Sequence, residues 1–234
     1  MERRRFLESC VAVSGAAGIG ALSHAWAGTP PRLYERALLV DKFGAPLRAG
    51  ALAAETNYVF HYPFAGTPCF LLRLARPVTA VTSLRREDGA TYEWSGGVGP
   101  GRTVVAFSAI CAHKLAYPTR DISFIRYQPQ KSATSDAHVI HCCADHSVYD
   151  PASGARVLAG PAPQPLAAIL LDYDPATDGL SALGTVGAEQ FDRFFSKYDF
   201  KLSMDYGPGK AKVPVGNETV VRELAQFCRQ TVQC

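Results

Sequence analysis

The chain has 234 residues, with 24 Lys and Arg against 21 Asp and Glu, a formal net charge of +3. Apolar residues make up 47% and charged residues 19%, a balance that supports a packed core and excludes a solvated, disordered chain. The basic residues form no block suited to a phosphate backbone, which argues against a nucleic-acid partner.

At the amino terminus, Arg3-Arg4-Arg5-Phe6-Leu7 precedes an apolar run from Cys10 to Ser23, and Ala25-Trp26-Ala27 offers small residues at a cleavage boundary. Two arginines followed by Phe-Leu resemble the twin-arginine export signal, which implies a periplasmic or otherwise exported protein that folds before export. The run is interrupted by Gly15, Gly18 and Gly20 and is shorter than the ~20 residues that span a bilayer. The expected organisation is a signal segment at 1–27, a domain at 28–184 and a C-terminal extension at 185–234. An ordinary secretory signal is the alternative, and membrane association follows if the segment is retained.

Beyond the signal the pattern is of short strands. Asn57 to Tyr62 and Cys69 to Leu74 flank the turn-rich Pro63 to Pro68, as a hairpin would. Further β-forming runs fall at Val78 to Leu84, Thr103 to Ile110, His138 to His141 and Leu166 to Asp172. The predicted fold class is all-β, a sandwich or barrel, with a partly helical C-terminal extension. Helical signals are read at Arg36 to Glu55 and at Thr219 to Cys234, where Val220, Leu224 and Phe227 share a face. An aromatic series from Phe191 to Tyr206 is expected to cover the sheet or to meet another subunit.

Chemistry is concentrated in two clusters, Cys111-Ala112-His113 and Cys142-Cys143-Ala144-Asp145-His146. One thiolate and one imidazole from each give a two-cysteine, two-histidine set, suited to a [2Fe–2S] centre with sulfur on one iron and nitrogen on the other. The same set suits tetrahedral zinc. Outside the clusters, Cys69 sits in an apolar run as a buried thiol, while Cys228 and Cys234 are candidates for a disulfide. The sequence shows no recognisable orienting carboxylate or oxyanion pocket for a cysteine nucleophile paired with His113 or His146, so catalysis by this chain alone is not expected.

The stretch Phe107-Ser108-Ala109-Ile110-Cys111-Ala112-His113, with Tyr149-Asp150-Pro151-Ala152-Ser153-Gly154 and Gly160-Pro161-Ala162-Pro163, resembles the Rieske iron–sulfur proteins. Among them it is similar to the small subunit of arsenite oxidase and to the Rieske subunit of cytochrome bc-type complexes. The resemblance covers about Asn57 to Asp172. It implies a Rieske-like β-sandwich or barrel, a cluster-binding insertion at about 108–163 and one-electron transfer. It further implies a redox protein partner or a larger oxidoreductase of which the chain is a subunit.

By that resemblance Cys111 and His113 are metal ligands from a Cys-x-His loop, and the second loop contributes Cys-x-x-His. Cys143 with His146 fits that spacing but brings Tyr149 and Asp150 one position too close. Cys142 with Asp145 restores the distance and places a carboxylate where an imidazole is expected, and Cys142 with His146 is the mixed choice. Cys143 and His146 are preferred on ligand spacing. Gly160 and Pro161 belong to a third loop lying across the cluster. Ser147 and Tyr149 match hydroxyls that donate to cluster sulfurs and raise the potential, towards the upper half of the Rieske range of about −150 to +300 mV. The interloop disulfide of the bc-type relatives is not implied, because its positions hold Ala116 and, in the preferred register, Asp145. The alternative function is a cluster-free or zinc-stabilised assembly subunit.

Overall fold

The computed structural model describes residues 28–187 and 189–234, apart from the side chain of Thr82; the expected signal segment at 1–27 lies outside them. The first strands are β1 (Arg32–Val40), β2 (Tyr58–His61), β3 (Pro68–Arg73), β4 (Val81–Arg85), β5 (Thr91–Trp94) and β6 (Val104–Ser108). They are followed by β7 (Ile122–Ser123), β8 (Ile125–Gln128), β9 (Val139–Cys142), β10 (Ser147–Asp150), β11 (Arg156–Ala159), β12 (Ala168–Asp174) and β13 (Gly179–Val186). The remainder holds helix α1 (Phe191–Tyr206) and three short strands, β14 (Glu218–Val220), β15 (Arg222–Glu223) and β16 (Gln230–Thr231).

Eight strands form the main sheet in the order β14-β1-β13-β12-β6-β3-β2-β15. Its edge strands β14 and β15 are separated in sequence only by Val221, so the sheet curls until its two edges nearly meet. That is an all-β, nearly closed barrel, which leaves little strand edge unpaired. The expected hairpin is present, with Tyr58 opposite Leu71 and His61 opposite Pro68. Cys69 is fully buried in β3, as its apolar neighbours predict.

A second, four-stranded antiparallel sheet runs β11-β10-β9-β8. The main core lies between the two sheets and joins Phe70, Phe107 and Leu166 of the barrel to Ile125, Ile140 and Tyr149 of the smaller sheet. Cys111 and Cys142 belong to this same core. The candidate ligand loops are therefore seated on the packed core between the two sheets.

Two helical expectations are overturned. Residues 36–55 hold β1, a turn and one 3-10 turn at Ala49–Ala51 instead of a helix. The run Ala37 to Val40 gains more from pairing with β13 and β14 than from its own helical preference. Residues 219–234 are divided among short strand segments and irregular chain, with a helix only at Leu224–Phe227.

The long helix is α1, built from the aromatic series. Phe191, Phe194, Phe195 and Leu202 recur at helical spacing and are buried, each contributing roughly 1.5–3 kcal/mol relative to exposure. They pack with Ile110, Leu115 and Tyr117, so the helix covers the segment that carries the first cluster. It ends where Gly207 takes a positive φ of 91° and Pro208 follows. Among the described residues no helix is long and apolar enough to cross a membrane.

Candidate metal centre

The second cluster lies on the hairpin between β9 and β10, whose register pairs Cys142 with Ser147 and Ile140 with Tyr149. Facing residues of a ladder point to one side and their neighbours to the other. Cys142, Ser147 and Tyr149 thus face the core, whereas His141 and Val148 face the opposite side. The hairpin closes as the N–H groups of Asp145 and His146 donate to the carbonyl of Cys142, at 3.3 and 2.8 Å. His146 adopts φ 57° and is exposed.

The first cluster follows β6. The Cys111 N–H donates to the Ala116 carbonyl at 2.8 Å and the Leu115 N–H to the Cys111 carbonyl at 3.0 Å, folding a tight loop. Tyr149 joins the two loops: its hydroxyl accepts from the Ala112 N–H at 3.1 Å and lies 3.3 Å from Cys111 Sγ.

Ligand atoms of Cys111, Cys142 and Asp145 lie within 4.8 Å of one another. Asp145 Oδ2 is 3.4 Å from Cys111 Sγ and 2.9 Å from His113 Nδ1. The Asp145 side chain is only 2% exposed, while that of His113 is 38% exposed. The geometry is a buried sulfur floor, a carboxylate above it and an imidazole at the surface.

The preferred sequence reading is corrected here. Cys143 is bonded to Cys234 in a disulfide and has no thiolate to offer, because the residue after Cys142 turns away from the core. His146 faces His141, with ring centroids 5.7 Å apart, away from Cys111. The pair brought to Cys111 and His113 is Cys142 with Asp145, the other register. The expected pairing of Cys228 with Cys234 is also replaced: Cys228 is a buried free thiol. His141, His146 and Cys234 form a second group with metal-binding atoms, but its sulfur belongs to the disulfide.

Electrostatics favour a cation at the first group. Burial opposes ionisation of Asp145, yet its carboxyl is held below the usual range by the N–H of Ser147, at 3.0 Å, and by the thiols of Cys142 and Cys111. Hydrogen bonding from Cys142 pulls the Cys111 thiol down against burial, helped by the Tyr149 hydroxyl and the His113 N–H. Cys142, which supplies that proton and is itself buried, is pushed up. Among the described residues the only basic side chain paired with Asp145 is that of His113. With its pKa raised, Cys142 is held as a thiol; removing its proton as well would place three anions in the core without Lys or Arg, a state that a bound metal would neutralise.

Ser147 is fully buried beside this group; among the described residues its hydroxyl meets no partner in good hydrogen-bond geometry, yet it lies close enough to Asp145 to help the Ser147 N–H hold that carboxyl low. The donor set of two thiols, one carboxylate and one imidazole fits a metal or metal–sulfur group.

Gly160 packs its backbone against this hairpin, with Pro161 next in the chain. Gly160 has φ 85°, and a Cβ there would lie 2.4 Å from the His146 carbonyl oxygen and 2.6 Å from Ser147 Cα. Only glycine lets the third loop approach so closely. Two contacts escaped sequence reasoning: Gln190 Nε2 donates to the Ala112 carbonyl at 2.9 Å, and Lys197 Nζ to that of Lys114. No motif marks either residue.

No protein-family model matches the chain. Among solved structures it is similar to the soluble domain of the Rieske protein II (soxF) from Sulfolobus acidocaldarius. That likeness has 26% sequence identity, covers 67% of this chain and 84% of that one, and has a TM-score of 0.48.

Proposed function

We propose that the chain is an electron-transfer protein in which Cys111, His113, Cys142 and Asp145 hold a Rieske-type [2Fe–2S] cluster. The observation that carries this reading is the meeting of two buried thiols and a buried carboxylate at one point of the core, with the partly exposed His113 imidazole 2.9 Å from that carboxylate, on the segments whose motifs resemble that family. When bound, such a group exchanges one electron at a time.

The residues divide the work. Cys111 and Cys142, both fully buried, would anchor the group from inside the core and exclude water there. His113, the exposed member, marks the side from which a redox partner approaches. Tyr149 directs its hydroxyl at Cys111 Sγ and Ser147 carries a buried hydroxyl on the same hairpin; donors of this kind favour the reduced, more negative state and raise the potential. Asp145 acts the other way, because a carboxylate in place of an imidazole adds negative charge. The balance moves the expected potential below the upper half of the Rieske range.

The protein functions outside the cytoplasm, exported through Arg3 and Arg4, as a carrier or as a subunit of a larger oxidoreductase. Iron and acid-labile sulfide analysis of protein assembled in an iron-competent host tests the reading. Two irons and two sulfides per chain are expected. Stoichiometric zinc without labile sulfide would replace electron transfer by a structural metal.

A further inference from the structure

The two ligand loops have no covalent link to each other, yet each is tied separately to the segment after residue 188. On the first loop, Gln190 Nε2 takes the carbonyl of Ala112, between Cys111 and His113, and Lys197 takes that of Lys114. Phe194 and Tyr198 of α1 pack their rings on Tyr117 at 4.8 and 4.9 Å. The helix therefore presses on the loop while its polar side chains fix the loop's backbone.

On the second loop the tie is covalent. Cys143, next to Cys142, is bonded to Cys234 across a separation of 91 residues. The tail that delivers Cys234 is itself fixed: β16 pairs in parallel with β7, and the Val232 N–H donates to Ser123 at 2.9 Å. Arg126 Nε reaches the Val232 carbonyl at 3.3 Å. The hairpin is thus held at its tip, beside the residue that must present a thiolate and two residues before the carboxylate.

We infer that residues 189–234 position both ligand loops, through Gln190 on the first and the Cys143–Cys234 disulfide on the second. The inference rests on the proposed function only for what the loops hold; the mechanical coupling belongs to the polypeptide alone. Binding groups on loops hold their geometry only when a supporting layer fixes them. Here that layer comes from a part of the chain distant in sequence from both motifs.

Gln190→Glu removes the donor to Ala112 and keeps an acceptor for Arg193, whose Nη1 donates to Gln190 Oε1 at 2.9 Å. The double variant Cys143→Ser/Cys234→Ser removes the disulfide without leaving a stray thiol. Hydrogen exchange of the full, metal-free chain is compared at residues 111–116, at 142–147 and in β3 and β6. Gln190→Glu should speed exchange at 111–116 about fivefold, the equivalent of one net hydrogen bond, and the double variant should act at 142–147, each leaving β3 and β6 unchanged. Unchanged loops, or a rise shared equally by β3 and β6, would overturn the inference, since the contacts would then serve only general stability. In iron-loaded protein both variants should release iron to a chelator several-fold faster. Wild-type protein that takes up no cluster would sink the proposed function, while the exchange pattern still decides whether the extension positions the loops.

Discussion

Replacing Tyr149 by Phe keeps the ring in the core and removes one oxygen, which makes the cost calculable. The Ala112 N–H, in a residue 1% exposed, loses its only acceptor, and an unsatisfied buried donor costs about 1–3 kcal/mol. The contact with Cys111 Sγ disappears as well, while desolvation of the phenol no longer has to be offset; the net loss is about 2 kcal/mol. For a domain of this size that lowers Tm by roughly 4–8 °C. Metal-free protein should show it by calorimetry, and denaturant unfolding should show a lower midpoint with the same m value. In iron-loaded protein the potential should fall by roughly 40 mV, the one-electron equivalent of about 1 kcal/mol of lost donation. A stability loss below about 0.5 kcal/mol, the range of an ordinary surface change, would refute the view that this hydroxyl ties the loops together.

Acid should weaken the fold through His61, whose pKa is lowered from 6.5 to about 4 by burial and by the charges of Arg120 and Arg222. Because the unfolded state takes up the proton first, this contribution is complete above about pH 6.5, is lost between about 6.5 and 4 and levels off below, by at most roughly 3 kcal/mol; denaturant titrations of His61→Phe should lose that slope, and an unchanged slope would discount the assignment. Gly160→Ala should cost about 2 kcal/mol or more, from a left-handed φ and a Cβ driven into His146 and Ser147. A midpoint equal to wild type would mean that the third loop is not packed on the hairpin as described.

Much of the barrel was legible because its strands are apolar, short and bounded by Pro and Gly, as at Tyr58 to His61 and Pro68 to Arg73. The first cluster stands out in the sequence for a similar reason: Cys111 and His113 follow a strand and have no rivals nearby. The second was not, because Cys142 and Cys143 are adjacent and so are Asp145 and His146. A shift of one residue yields two chemically sensible sets, and only the pairing of Cys142 with Ser147 decides which faces inward. The disulfide was hidden for another reason, since cysteine connectivity cannot be read from spacing. Helix α1 was seen as an aromatic series; its 3.6-residue period was present at Phe191, Phe194, Phe195 and Tyr198, but its docking on the first loop depends on the fold.

The central claim is that Asp145 stands where a second imidazole would be expected, so the number of nitrogen ligands is the quantity to measure. Pulsed electron spin resonance of the reduced protein, natural and labelled with 15N-histidine, counts the imidazole nitrogens coupled to the iron. The account predicts one, lost in His113→Ala and unaffected by His146→Ala. Two coupled nitrogens, one of them lost with His146, would contradict it.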